Sequence, residues 1–89
     1  MATSAAFVPI VRQRLSDLLV HRIRVSIEDG QLRAGDQLPP ILAMAREFRV
    51  AAATVREALM KLEAKQLVEI RHGAGVFIAS SVGHHTTEG

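Results

Sequence analysis

The stretch Thr54 to Glu63, TVREALMKLE, sorts its residues by side. Wound as a helix at about 100° per residue, it gathers Val55, Leu59 and Leu62 together and leaves Thr54, Arg56, Glu57, Lys61 and Glu63 elsewhere. A surface helix needs only solubility from its polar side, yet two of these groups suit more. A threonine hydroxyl can donate to a phosphate oxygen or touch a base edge. An arginine fork can donate two parallel hydrogen bonds to guanine, or clamp a phosphate. Both stand at the helix start, where backbone N–H groups and the positive dipole end favour an anion. The DNA major groove admits one such helix. A spacing of two residues sets Thr54 and Arg56 roughly 200° apart, so they would flank the groove-facing side rather than share it. The plainer alternative for Arg56 is an ion pair with Glu57 or with an acid on a neighbouring helix.

Further candidates lie on either side of this helix. Arg71, His72 and Gly73-Ala74-Gly75 read as the tip of a hairpin. Its glycines would let the backbone approach a phosphate or enter the minor groove, with Arg71 adding charge and His72 a ring N–H; equally, the glycines could only close the turn. Arg46 and Arg49 precede the helix and are placed to meet phosphates or to remain solvated. Ala51 to Ala53 make the helix start smooth and apolar, which suits a thymine methyl group or a protein surface. Lys61 and Lys65 read as surface charges. His84 and His85 are an adjacent pair without a third ligand nearby, so no metal is expected, nor any other cofactor.

The totals are compatible with this chemistry. Eighty-nine residues make one small domain with a modest core. The net charge is +2, and nine of the eleven cations are arginine, the side chain best matched to phosphates and base edges. The absence of cysteine excludes disulfides and thiol chemistry. No apolar run approaches the roughly 18 residues that a membrane helix needs. The opening MATSAAFVPIV lacks a basic region before its apolar residues and so does not read as a signal peptide. The expectation is a cytoplasmic protein.

These residues must be positioned by a small set of elements. Residues 1–13 read as a flexible arm, 14–80 as the folded domain and 81–89 as linker or tail. Leu15, Leu18, Leu19, Ile23 and Ile27 predict a first helix from about Arg14 to Asp29, stopped by Gly30. Gly35-Asp36 marks a turn, and Gln37-Leu38 could form a very short strand. Pro40 can open a second helix that runs to about Phe48 and buries Leu42, Ala45 and Phe48. Were Ile41 and Leu42 both exposed, they would instead form an apolar patch of the kind that binds proteins. Arg49-Val50-Ala51 makes a turn, and the third helix runs from about Ala52 to Lys65. Two short strands follow, Val68 to Arg71 and Val76 to Ala79, around the HGAG turn. The fold class is mainly α with a small β-hairpin: a winged helix-turn-helix of three helices and a two-stranded wing.

IEDGQLRAGDQLP and TVREALMKLEAKQLVEIRHGAGVFIA together resemble the N-terminal DNA-binding domain of the GntR family of bacterial transcription regulators. Each short motif is weakly specific; their order and spacing over residues 15–79 are not. The resemblance implies binding to double-stranded operator DNA, usually as a homodimer. It also implies a larger C-terminal effector domain that carries much of the dimer contact and is absent from this sequence. The family's Thr-x-Arg maps onto Thr54-Val55-Arg56. The match departs from the pattern in three places. Where the family usually has Ser-Glu-Arg after Leu-Pro, this chain has Pro40, Ile41 and Leu42. Where it has Ser-Arg before Thr-Val-Arg, this chain has Ala51 and Ala52. The middle of the wing is Ala74. Up to three cationic contacts are thereby missing.

Two functions compete on these residues. The first is a sequence-specific DNA-binding domain of a regulator, a repressor by analogy, with the third helix in the major groove and the wing near the minor groove. Its expected contacts are Thr54, Arg56, Arg71, His72, Gly73, Ala52, Ala53, Arg46 and Arg49. The second is a winged-helix module that binds protein after losing cations. Steep weakening of DNA binding with salt separates them. An enzyme is not expected from a chain this short, without cysteine or metal-ligand spacing.

Overall fold

A computed structural model describes residues 7–82, and its elements follow the expected order. These are α1 (Phe7–Glu28), α2 (Ile41–Phe48), α3 (Ala52–Ala64), β1 (Val68–Arg71) and β2 (Gly75–Ile78). The helix α3 packs against α1, α2 and β1. Its residues Val55, Ala58, Leu59 and Leu62 form the middle of the core. Around them lie Leu19, Val20 and Ile23 of α1, Met44 of α2, Leu38, and Val68, Val76 and Ile78 of the hairpin.

The first helix is longer than its apolar pattern indicates. It starts at Phe7 rather than Arg14, so residues 7–13 are helix and not arm. Pro9 does not prevent this, because N–H groups in the first turn have no helical partner to lose. Ile10 to Arg14 are exposed, which is why core periodicity carries no sign of them. Residues 1–6 of the expected arm lie outside the described residues. At the other end Gly30 takes φ +82°, the left-handed conformation expected of a helix stop.

Two leucines expected to be buried are not. Leu18 is 60% exposed and Leu42 is 64% exposed. By helical rotation Leu18 lies about 150° and Leu42 about 110° from the centre of its element's buried line. In α1 that line runs through Ser16, Leu19, Val20 and Ile23; in α2 it runs through Ile41, Met44, Ala45 and Phe48. Met44, 2% exposed, takes the core position assigned to Leu42.

The hairpin pairs Val68 with Ile78, Glu69 with Phe77, Ile70 with Val76 and Arg71 with Gly75, antiparallel. Val68, Ile70, Val76 and Ile78 face the core, as alternation requires. The turn after α1 runs along the outer edge of β2. Leu38 N–H donates to Val76 O at 2.8 Å, and Gly35 N–H and Ile78 N–H are bonded across the same seam. Gln37 bridges Phe77, so the brief extended segment at Gln37-Leu38 is present as an isolated bridge. Gly75 opens β2 at φ +128°, and a Cβ there would meet Gln37 Nε2 at 2.5 Å. Ser81 and Val82 still belong to the domain rather than the tail: Ser81 Oγ donates to Gln66 O, and Val82 packs on the core.

Two substitutions test this packing. Leu62→Ala removes a fully buried side chain and should cost about 2–5 kcal/mol in urea unfolding, whereas Leu42→Ala should stay within about 0.5 kcal/mol of wild type. Gly75→Ala forces a side chain into a left-handed backbone against Gln37 and should cost about 1–3 kcal/mol by the same assay.

Candidate nucleic-acid interface

The geometry of α3 follows from which side of it the core occupies. With Val55, Ala58, Leu59 and Leu62 turned inward, helical rotation sends Ala53, Arg56, Met60 and Ala64 outward. A shallow surface hollow runs along this outward side, lined by Ala53, Arg56, Glu57, Met60, Lys61 and Ala64. Arg56 is exposed, and among the described residues it takes part in no ion pair. Its expected alternative partner, Glu57, pairs with Lys61 instead.

Thr54 departs from its expected place beside the groove. It is 2% exposed and lies with Val55 and Ala58 on the covered side of α3. Thr54 and Arg56 lie on opposite flanks of the buried stripe, about 90° and 110° from its centre, and the flank that carries Thr54 is the one the fold covers. Ala52 and Ala53 are half-buried at the helix start. The N-cap is Ala51, with extended backbone and no side-chain cap. The leading N–H groups of α3 therefore have no side chain over them, the condition under which a helix start accepts an anion.

The turn into α3 is sharp. Arg49 adopts φ +58°, ψ +48° as the C-cap of α2, and its N–H points back to the carbonyls of Ala45 and Arg46. Val50 N–H also returns to Ala45 O at 3.0 Å, and the Val50 side chain packs on the core. A left-handed arginine costs about 1–2 kcal/mol relative to a relaxed one. Arg46 and Arg49 are both exposed and outside every ion pair among the described residues.

The wing carries His72, Gly73 and Ala74 at an exposed tip, with Gly73 at φ +81°. Arg71 is less free than its sequence implies. Its guanidinium donates to Glu69 Oε1 at 2.8 Å and lies 4.5 Å from the centroid of the Phe77 ring. Gln37 Nε2 donates to Ala74 O at 3.1 Å, tying the wing tip to the turn after α1. Nothing in composition or periodicity marks Gln37 for that role, which depends on a contact across 37 residues.

Lys61 is also more than a surface charge. Its ammonium donates to Asp17 Oδ1 at 2.7 Å and to Ser16 Oγ at 2.7 Å, and lies 3.4 Å from Glu57 Oε2. These contacts join α1 to α3 and balance Asp17 and Glu57, of which Glu57 lines the outward hollow of α3. The hydrogen bond to Asp17 is the main cause holding the Lys61 pKa above the ordinary lysine value; partial burial opposes it, and Glu57 adds to it. Met60, 64% exposed, was not singled out by its sequence context, although the Val55–Leu59–Leu62 spacing already turns it away from the core. Among the described residues no cluster of three potential metal ligands occurs; His84 and His85 lie outside them. No described helix is long and apolar enough to cross a membrane.

Comparison with known proteins agrees with this architecture. The family model described as "Bacterial regulatory proteins, gntR family" matches residues 15–78. The mannosyl-D-glycerate transport/metabolism system repressor MngR of Escherichia coli is 39% identical over 70 residues, which are 79% of this chain and 27% of that protein. Among solved structures, a transcriptional regulator from Oenococcus oeni superposes with a TM-score of 0.72 at 30% identity, covering 82% of this chain and 63% of that one. AraR(DBD) in complex with operator superposes with a TM-score of 0.71 at 23% identity, covering 73% of this chain and 79% of that one, a likeness of fold. The chain spans about a fifth to a third of the length of the curated relatives it matches.

The Lys61 contacts have a pH signature. A folded-state pKa raised above the unfolded value of 10.5 contributes stability below that pH and loses it as pH rises through the folded value. In urea unfolding between about pH 9 and 12, the stability difference between wild type and Lys61→Met should hold steady up to about pH 10 and shrink above it.

Proposed function

The chain belongs to the gntR family of bacterial regulatory proteins, and from that premise we propose that it is the DNA-binding part of a transcription regulator. In this reading the leading half of α3 enters the major groove of an operator duplex, and the wing tip of His72 and Gly73 lies against the neighbouring minor groove. Arg56 reads guanine or clamps a phosphate. Arg46 and Arg49 meet phosphates beside the uncapped start of α3. Ala52 and Ala53 touch base edges. Arg71, held by Glu69 and Phe77, serves the wing as a positioned charge. Thr54 acts from the covered side by fixing the helix start, not as a free groove contact.

The observation that carries this is Arg56: an exposed guanidinium without an ion pair among the described residues, on the outward side of the helix that the core leaves open. The fold shared with an operator-bound domain supports the docking. The name of the repressor MngR supports repression as the outcome. The greater length of the relatives supports a regulator that dimerises through a further C-terminal domain onto a two-fold site. The protein acts in the cytoplasm, where the operator is, and is not an enzyme.

Binding should weaken with salt. With three free arginines per domain near the proposed contact, a plot of log affinity against log salt should have a slope of roughly −3 per domain. Arg56→Ala should lose about 1–3 kcal/mol of affinity for duplexes enriched by wild type from a random pool, with circular dichroism unchanged. An Arg56→Ala protein that enriches the same duplexes with equal affinity would contradict this assignment.

A further inference from the structure

Of the charged residues that line the outward hollow of α3, Glu57 and Lys61 pair with each other, which leaves Arg56 as the one outside an ion pair among the described residues. Ala53 stands three residues before Arg56 and Met60 four residues after it, so the three share one side of the helix. Met60 is among the most exposed large apolar side chains of the described residues. The acid beside this surface, Glu57, is held by Lys61 and Ser16. From Ala53 to Met60 the helix rises about 10 Å, close to three stacked base pairs at about 3.4 Å each. Apolar side chains entering a major groove meet one apolar group there, the C5 methyl of thymine.

We infer that this helix recognises its operator through methyl groups: Ala53 and Met60 pack on the C5 methyls of thymines within about three base pairs of the guanine that Arg56 reads. The inference rests on the proposed function and names the base content of its target. Thymine methyls here take the place of hydrogen-bonded contacts, because the helix start offers alanines where polar side chains would read base edges. Ala52, half-buried at the first position of α3, borders the same surface. Arg56 supplies the single directional contact that sets register. Because a methyl contact adds no charge, this recognition persists at salt concentrations that weaken the phosphate contacts.

The test replaces thymine by deoxyuridine, which deletes the methyl and keeps the base pairing. The whole chain is first used to select duplexes from a random pool. The enriched duplex is then made with thymine and with deoxyuridine at each thymine of the half-site. Wild type should bind the deoxyuridine duplex about fourfold more weakly for each methyl group deleted from the interface, the size expected of one buried carbon. Met60→Gln, at an exposed position that leaves the core intact, and Ala53→Gly should each narrow the thymine–deoxyuridine difference while still binding the thymine duplex. Equal binding of wild type to the two duplexes, or a difference that persists unchanged in both variants, overturns this inference and leaves the proposed function standing. Failure to enrich any duplex overturns the proposed function, and this inference with it.

Discussion

The arrangement depends on the burial of one stripe of α3. Val55, Ala58, Leu59 and Leu62 are each 1% exposed or less and pack on α1, α2 and the hairpin. At about 25 cal/mol per Å² of apolar surface removed from water, this is the strongest organising force available to a domain this small. It also fixes rotation. Once those four side chains are inside, Ala53 and Met60 face outward and Arg56 and Thr54 stand on opposite flanks, of which the fold covers the one that carries Thr54. The surface that meets a partner is therefore a consequence of the surface that does not.

Polar contacts hold the parts around α3 at fixed angles. Arg49 turns the chain in a left-handed step, so that α2 ends and α3 begins within a few residues. Lys61 ties α1 to α3 through Asp17 and Ser16, and keeps Glu57 from standing as an unbalanced negative charge beside Arg56. In the proposed docking that matters, because a free carboxylate would repel the phosphates that the arginines are to attract. The wing is braced twice, by the seam between residues 35–38 and β2 and by Gln37 on Ala74 O. Arg71 lies over Phe77, whose ring face attracts the guanidinium and helps keep its charge in place.

Much of the fold was legible in the sequence because local signals agreed with one another. Gly30 stops α1, the Pro39-Pro40 pair precedes α2, and the HGAG run closes a hairpin whose flanking residues alternate. What escaped was decided by rotation or by distant partners. Leu18 and Leu42 fit a helical spacing, but both sit more than about 100° off the buried line, a difference that counting apolar residues does not resolve. The start of α1 at Phe7 escaped because residues 10–14 are exposed and carry no core periodicity. Lys61 and Gln37 have roles that depend on partners 44 and 37 residues away. For the site, the outward position of Arg56 was readable from the Val55–Leu59–Leu62 spacing. The covering of Thr54 was not, because the spacing sets Thr54 and Arg56 at similar angles on opposite flanks of the buried stripe and only the packing of the fold decides which flank is covered.

The central claim is that the outward side of α3, and no other apolar surface of the described domain, is what meets duplex DNA. The most direct measurement is methyl NMR of the chain during titration with an enriched duplex at low salt. The methyl signals of Ala53 and Met60 should shift strongly and saturably, while those of Leu18, Leu42 and the buried Leu62 stay in place. Shifts centred on Leu18 or Leu42, with Ala53 and Met60 unmoved, would contradict the account.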